Sequence, residues 1–192
     1  GDLARKAASE SHETIKVAGS LPPLNGSYRP DRVLNKEVIE PIYRQQCEAL
    51  RPYVDVFLAE TMSTIQEAVS AASVASEFGK PVLVGLTLHD EQRGNLRSGE
   101  SLSDAIRELK QLNLGGLLAN CSLPERITDA MPMIAGSGFT YSGGYANAFC
   151  NVPKDWLLDG DKDTDGKLEV RKDLTPNRYR QFVIEWVESG AN

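Results

Sequence analysis

Five short apolar runs, at residues 17–20, 54–58, 81–88, 115–119 and 138–145, constrain this chain more than any other feature. Each is apolar along its length rather than at alternate positions, the pattern of a strand buried on both faces, as in a parallel sheet. Segments with helical periodicity lie between and after them, at 31–50, 63–78, 102–112, 125–134 and 176–188. The runs begin at residues 17, 54, 81, 115 and 138, leaving room for a helical crossover between consecutive strands. No fixed-period repeat is present, which argues against a solenoid. The expectation is an α/β chain of successive strand–helix units.

Helix boundaries carry their own chemistry. Ser63 followed by Gln66, and Ser122 followed by Glu125 with Pro124 near the first helical position, read as capping signals in which side-chain oxygens satisfy free backbone N–H groups. Gly79 ahead of Lys80-Pro81 reads as a helix stop.

Composition acts as a filter. With 41% hydrophobic and 25% charged residues in 192, the chain is globular in type, not disordered, collagenous or coiled-coil. A net charge of −6 argues against a nucleic-acid binder held by phosphate contacts. No window approaches 18 apolar residues and no basic start precedes an apolar stretch, so neither a membrane span nor a signal peptide is expected. Cys47, Cys121 and Cys150 are odd in number and widely spaced, which does not suit a disulfide framework and points to a reducing cytoplasm.

In β/α folds ligands bind beyond the carboxyl ends of the strands, so the residues that end each run carry the functional information. Here they are Ser20, then Glu60-Thr61, then His89-Asp90, then Asn120-Cys121-Ser122, and last Tyr145-Ala146-Asn147. A carboxylate, an amide and a thiol converging on one rim make a polar pocket. Each also has a structural reading: Glu60 as a capping or ion-paired carboxylate, Cys121 as a small buried residue, Asn120 and Asn147 as makers of Asx turns.

The wording of four segments goes further. Val17-Ala18-Gly19-Ser20-Leu21-Pro22-Pro23 with Ser27-Tyr28-Arg29, Phe57-Leu58-Ala59-Glu60-Thr61-Met62 with Glu67-Ala68, Asn120-Cys121-Ser122-Leu123-Pro124, and Tyr145-Ala146-Asn147 together, and in this order, resemble the homocysteine S-methyltransferase family. The resemblance implies a (β/α)8 TIM-type barrel that holds Zn2+ on three cysteines. Its substrates would be small molecules: homocysteine and a methyl donor such as S-methylmethionine, S-adenosylmethionine or a betaine. The physical logic is that a metal-bound thiol is deprotonated outright, and the thiolate is the nucleophile. Residue by residue, Cys121 matches a zinc ligand and Glu60 the carboxylate that binds the substrate amino group. Ser20, Asn120 and Asn147 match substrate-pocket positions, with Ala146 where the family pattern has proline.

Against that pattern, the chain reads as one domain over 1–192 that lacks two strands before residue 17 and an eighth strand with two adjacent cysteine ligands. Its length falls short of the about 250 residues typical of a closed barrel, so about five strand–helix units of an incomplete barrel are expected. Strands at 17–20 and 138–145 would then be bare edges. A non-catalytic amino-acid-binding module that has lost the metal is the alternative.

Two weaker signals remain. Residues 161–169 resemble the first nine positions of a calcium loop, but position 12 is Lys172 rather than a bidentate glutamate, and an acidic surface loop explains the run. His12 and His89 are too isolated for a histidine metal site or a hydrolytic triad.

Overall fold

Each apolar run forms a strand in the computed structural model, which describes residues 1–158, 160 and 165–192. The strands are β1 (Ala18–Leu21), β2 (Val56–Met62), β3 (Val82–Leu86), β4 (Gly116–Asn120) and β5 (Tyr141–Tyr145). All neighbours are parallel and lie in sequence order, with β1 and β5 at the edges. Among the described residues six α-helices accompany the strands: α1 (Asp2–Glu10), α2 (Lys36–Leu50), α3 (Ile65–Ser76), α4 (Leu102–Leu109), α5 (Pro124–Ala135) and α6 (Pro176–Glu188). Successive parallel strands joined by helices make a partial TIM-barrel-like α/β fold, as the run spacing implies.

Side chains alternate across the sheet, and the two faces differ. Phe57, Ala59, Val84, Leu86, Leu117 and Ala119 are fully buried beneath the helices. On the opposite face Val56, Leu58, Leu83 and Leu118 are half-buried, while Ala18, Ser20 and Tyr141 are exposed. The apolar runs therefore supply both faces, and the helices cover one.

Several local readings shift. The α3 cap is Thr64 rather than Ser63: its hydroxyl accepts from Glu67 N at 3.0 Å, and the Glu67 carboxylate accepts from Ser63 N at 3.2 Å. Ser122 does not cap α5, which begins behind Leu123 without a side-chain cap. Its hydroxyl instead donates to Asn120 O and accepts from Leu88 N, both at 2.8 Å, tying β3 to β4 at their carboxyl ends. Gly79 does stop α3, at φ +68. The segment expected as helix from residue 31 begins with a 3-10 turn, Pro30–Arg32, and becomes α-helical only after extended Asn35.

Helix α1 has no counterpart among the sequence expectations, for it buries no residue. It is held by Arg5, which donates to Tyr53 O at 2.6 and 3.0 Å and pairs with Asp55 at 3.0 Å. Asp55 also accepts from Val17 N, and that amide together with Arg5 holds the carboxyl below the usual range. Residues 161–164 of the calcium-loop reading lie outside the described residues. Among the described residues no helix is long and apolar enough to cross a membrane.

Candidate active site

The carboxyl ends of β2, β4 and β5 meet around one carboxylate and one thiol. In β2 the pairing register with β3 shifts between Ala59 and Met62, a bulge that re-aims the strand end. Tyr145 on β5 donates its hydroxyl to Glu60 Oε2 at 2.6 Å. Strands β3 and β4 lie between those two residues, so this bond spans the half-buried face of the sheet. Gly85 on β3 leaves room for the Asn120 side chain on the same face, since a Cβ there would stand 2.6 Å from Asn120 Oδ1.

Asn120 ends β4 fully buried and clamps Thr61 from two sides. Its Oδ1 accepts from Thr61 N at 2.9 Å, and its Nδ2 donates to Thr61 Oγ1 at 2.9 Å. Thr61 Oγ1 then donates to Cys121 Sγ at 3.3 Å. The Cys121 amide donates to Tyr145 O at 3.1 Å, joining the thiol to the strand that carries the Glu60 partner. Thr87, at the end of β3, donates to Asn120 O at 2.9 Å.

A small apolar cluster of Tyr28, Val152 and Trp156 packs against Cys121. Burial first, and then the Cys121 thiol beside it, push the Tyr28 phenol up; burial and the bond to Glu60 push the Tyr145 phenol up. Both hydroxyls therefore keep their protons at neutral pH. Asn147 Nδ2 donates to Tyr28 Oη at 3.3 Å, while its Oδ1 accepts from Phe149 N at 3.1 Å. The Asx turn read from the sequence and a place beside the thiol are thus both true of Asn147. Among the described residues the buried Trp156 Nε1 has no hydrogen-bond partner, an orphan that costs about 1–3 kcal/mol and that a bound ligand atom can satisfy.

Backbone strain marks the same place. Among the described residues three that are not glycine take a left-handed conformation: Tyr28 at φ 65, Thr61 at φ 64 and Cys121 at φ 49. For a β-branched or bulky side chain this costs on the order of 1–3 kcal/mol and persists only where the surroundings impose it. All three converge on the Cys121 sulfur. Strain of this kind concentrates at ligand and active sites.

Of the five residues read from the sequence, the structure brings Glu60, Asn120, Cys121 and Asn147 together. Ser20 stays apart, exposed on edge strand β1 opposite Leu58. Sequence reading missed Tyr28, Thr61 and Tyr145 as members of the group, although each sits inside a segment that carried the family wording. Their roles depend on backbone sign and on contacts between distant segments, which no local pattern reports.

The cysteines do not gather. Cys47 is fully buried on α2, and Cys150 lies on the segment after β5, its amide donating to Glu169 O at 2.8 Å. Among the described residues no group of three His, Cys, Asp or Glu side chains is placed to hold a metal ion. The described residues of this chain do not complete a thiolate zinc site around Cys121. Beyond Tyr28 a cavity of about 520 Å³ opens between the rim loops, with Arg29, His89, Asp90, Arg97 and Lys154 among its walls.

No curated protein matches the chain. Among solved structures, the homocysteine methyltransferase MmuM from Escherichia coli in its metallated form has a TM-score of 0.75 at 23% identity, covering 100% of this chain and 61% of that one. Its apo form gives 0.73 at 21%, covering 100% and 63%, and its oxidized form 0.75 at 23%, covering 100% and 61%. The chain thus spans less than two thirds of the length of these structures, and the likeness establishes the shared fold. The homocysteine S-methyltransferase family pattern matches residues 1–192, so the chain belongs to the homocysteine S-methyltransferase family.

Proposed function

We propose that this chain carries the homocysteine-binding part of a methyltransferase that moves a methyl group from a donor to the thiol of homocysteine, giving methionine. The observation that carries the reading is the Glu60 carboxylate and the Cys121 thiol on one rim, fixed by the Tyr145, Asn120 and Thr61 hydrogen bonds.

Each residue then has a task. Glu60 accepts hydrogen bonds from the substrate ammonium group, a charge-assisted contact, while Tyr145 holds its free rotation in check. Asn120 keeps Thr61 in its left-handed conformation, and Thr61 points a hydroxyl at the Cys121 sulfur. Tyr28, Val152 and Trp156 cover one side of that sulfur, which stays partly exposed. Asn147 steadies Tyr28, and Ser20 lies on the edge strand where a substrate carboxylate can approach. In the reaction a C–S bond forms between the substrate sulfur and the methyl carbon, the bond from donor to methyl breaks, and the donor keeps that electron pair. The thiol proton leaves to solvent. Zinc, when bound with Cys121 as a ligand, supplies thiol deprotonation. A reducing cytoplasm suits three cysteines that are all free.

The reading is tested by calorimetric titration of L-homocysteine into the wild-type chain and its Glu60→Gln variant. The carboxylate contact predicts an affinity loss of about 1.5–3 kcal/mol, the range of a hydrogen bond to a charged group. Equal affinity in the two proteins overturns it.

A further inference from the structure

A single buried ion pair joins three of the rim loops. Arg97, in the segment between β3 and α4, pairs with Asp90 at 2.5 Å, and the two side chains are only 7% and 10% exposed. Both partners also capture one residue of the segment after β5. Asp90 Oδ2 accepts from Val152 N at 3.0 Å, and Arg97 Nη2 donates to Val152 O. The Arg97 guanidinium also lies over the Tyr28 ring, 5.5 Å from its centroid. Arg29 provides a second tether between the same loops, donating to Asp155 O at 3.3 Å while Asp31 holds its other nitrogens at 2.6 and 2.8 Å.

The physical setting argues for position rather than stability as the purpose of this pair. Burying two charges costs several kcal/mol in desolvation, which their attraction recovers only with good geometry and additional hydrogen bonds, so such pairs stabilise little and fix arrangement instead. Here the additional hydrogen bonds go to the backbone of Val152, and Val152 belongs to the cluster that packs on Cys121. The Arg97 backbone is itself anchored, its amide donating to Thr87 O at 2.8 Å at the end of β3. A rigid strand end, an ion pair and a covering segment thus form one mechanical chain that stops at the thiol. Arg97, Asp90, Tyr28 and Val152 also line the cavity of about 520 Å³, so an opened latch would connect that cavity to Cys121.

We propose that the Arg97–Asp90 pair is a latch: Arg97 is a positioning residue that holds Tyr28 and the segment at 148–158 over Cys121, and its release sets access to the thiol. The proposal rests on Cys121 belonging to the site described above. Its test reads the latch without any methyl transfer, so a failed transfer assay and a failed latch are distinguishable.

The test is hydrogen exchange on the 192-residue chain, together with iodoacetamide labelling of Cys121 in a Cys150→Ser background, where Cys47 is fully buried. Asp90→Asn keeps the shape of the side chain and removes its charge; Arg97→Lys keeps the charge and removes the fork. Both variants are expected to fold, as judged by a cooperative melt, and Arg44→Ala serves as a control that breaks the remote Arg44–Glu77 pair. In Asp90→Asn the amides of 148–158 should exchange roughly tenfold faster or more, with β2, β3 and β4 unchanged, because local opening is separate from global unfolding. Cys121 labelling should accelerate by a similar factor, and Arg97→Lys should fall between wild type and Asp90→Asn. Acceleration spread evenly over the strands would overturn the latch, because it marks general destabilisation. Unchanged exchange and labelling in both latch variants, or a response equal to that of Arg44→Ala, would overturn it as well.

Discussion

The body of the sheet and its carboxyl rim obey different rules. In the body, Phe57, Val84, Leu117 and their neighbours pack beneath the helices, and Phe57 meets Phe78 edge to face at 6.1 Å between ring centroids. At the rim three non-glycine residues are forced to positive φ, a strand bulges, and polar groups are buried in mutual hydrogen bonds. Burial governs the first region, whereas in the second the backbone is held against its local preference. Such conflict is retained where function repays it.

That contrast can be broken by substitution. The largest effect is expected in the body: Phe57→Ala should cost about 3–5 kcal/mol of folding free energy through lost burial and a residual cavity. Denaturant unfolding checks it, and a loss below 1 kcal/mol, small on the scale of about 3 kcal/mol for such sites, would mean that the body is not closely packed.

Next comes the junction between body and rim, where Glu67 caps α3. Burial raises its carboxyl from 4.5 to about 7, against the opposing pull of the Ser63 and Leu24 amides. The folded state therefore favours the protonated form. The stability this confers is complete below the unfolded value of 4.5 and is lost as pH rises through about 7. Across that window the loss should be about 2–3 kcal/mol, at about 1.4 kcal/mol per unit. Unfolding of wild type and Glu67→Gln compared at about pH 5 and about pH 8 should show the wild type alone weakening with pH. Parallel slopes would contradict the assignment.

At the rim itself, Asn120→Ala should cost about 1–3 kcal/mol by leaving the buried Thr61 amide unpaired. Urea unfolding reads this directly. A neutral result would show that the clamp does not impose the Thr61 conformation.

The same contrast explains what the sequence could disclose. Continuous apolar runs announced all five strands because burial leaves a compositional trace, and the strand ends pointed to Glu60, Asn120 and Cys121 because position in a β/α unit predicts the rim. Helix α1 left no such trace, because it buries no residue and is tied down by Arg5 at Tyr53 and Asp55. The α3 cap was misplaced by one residue because Ser63 and Thr64 carry equivalent hydroxyls. Tyr28 and Asn147 are 119 residues apart, and Arg97 reaches Val152 across 55, so neither contact has a local signature. Left-handed Thr61 runs against its own propensity. That conflict is invisible until the clamp from Asn120 is seen.

The central claim is that rim strain serves the site rather than the fold, and Thr61→Gly tests it most directly. Glycine adopts φ 64 without cost, so relief of strain should offset the lost hydroxyl contacts and keep folding free energy within about 1 kcal/mol of wild type. Titration of L-homocysteine into the same variant should show affinity reduced roughly tenfold or more, one factor of ten being about 1.4 kcal/mol. Unchanged affinity, or a loss of stability as large as that of Phe57→Ala, would contradict it.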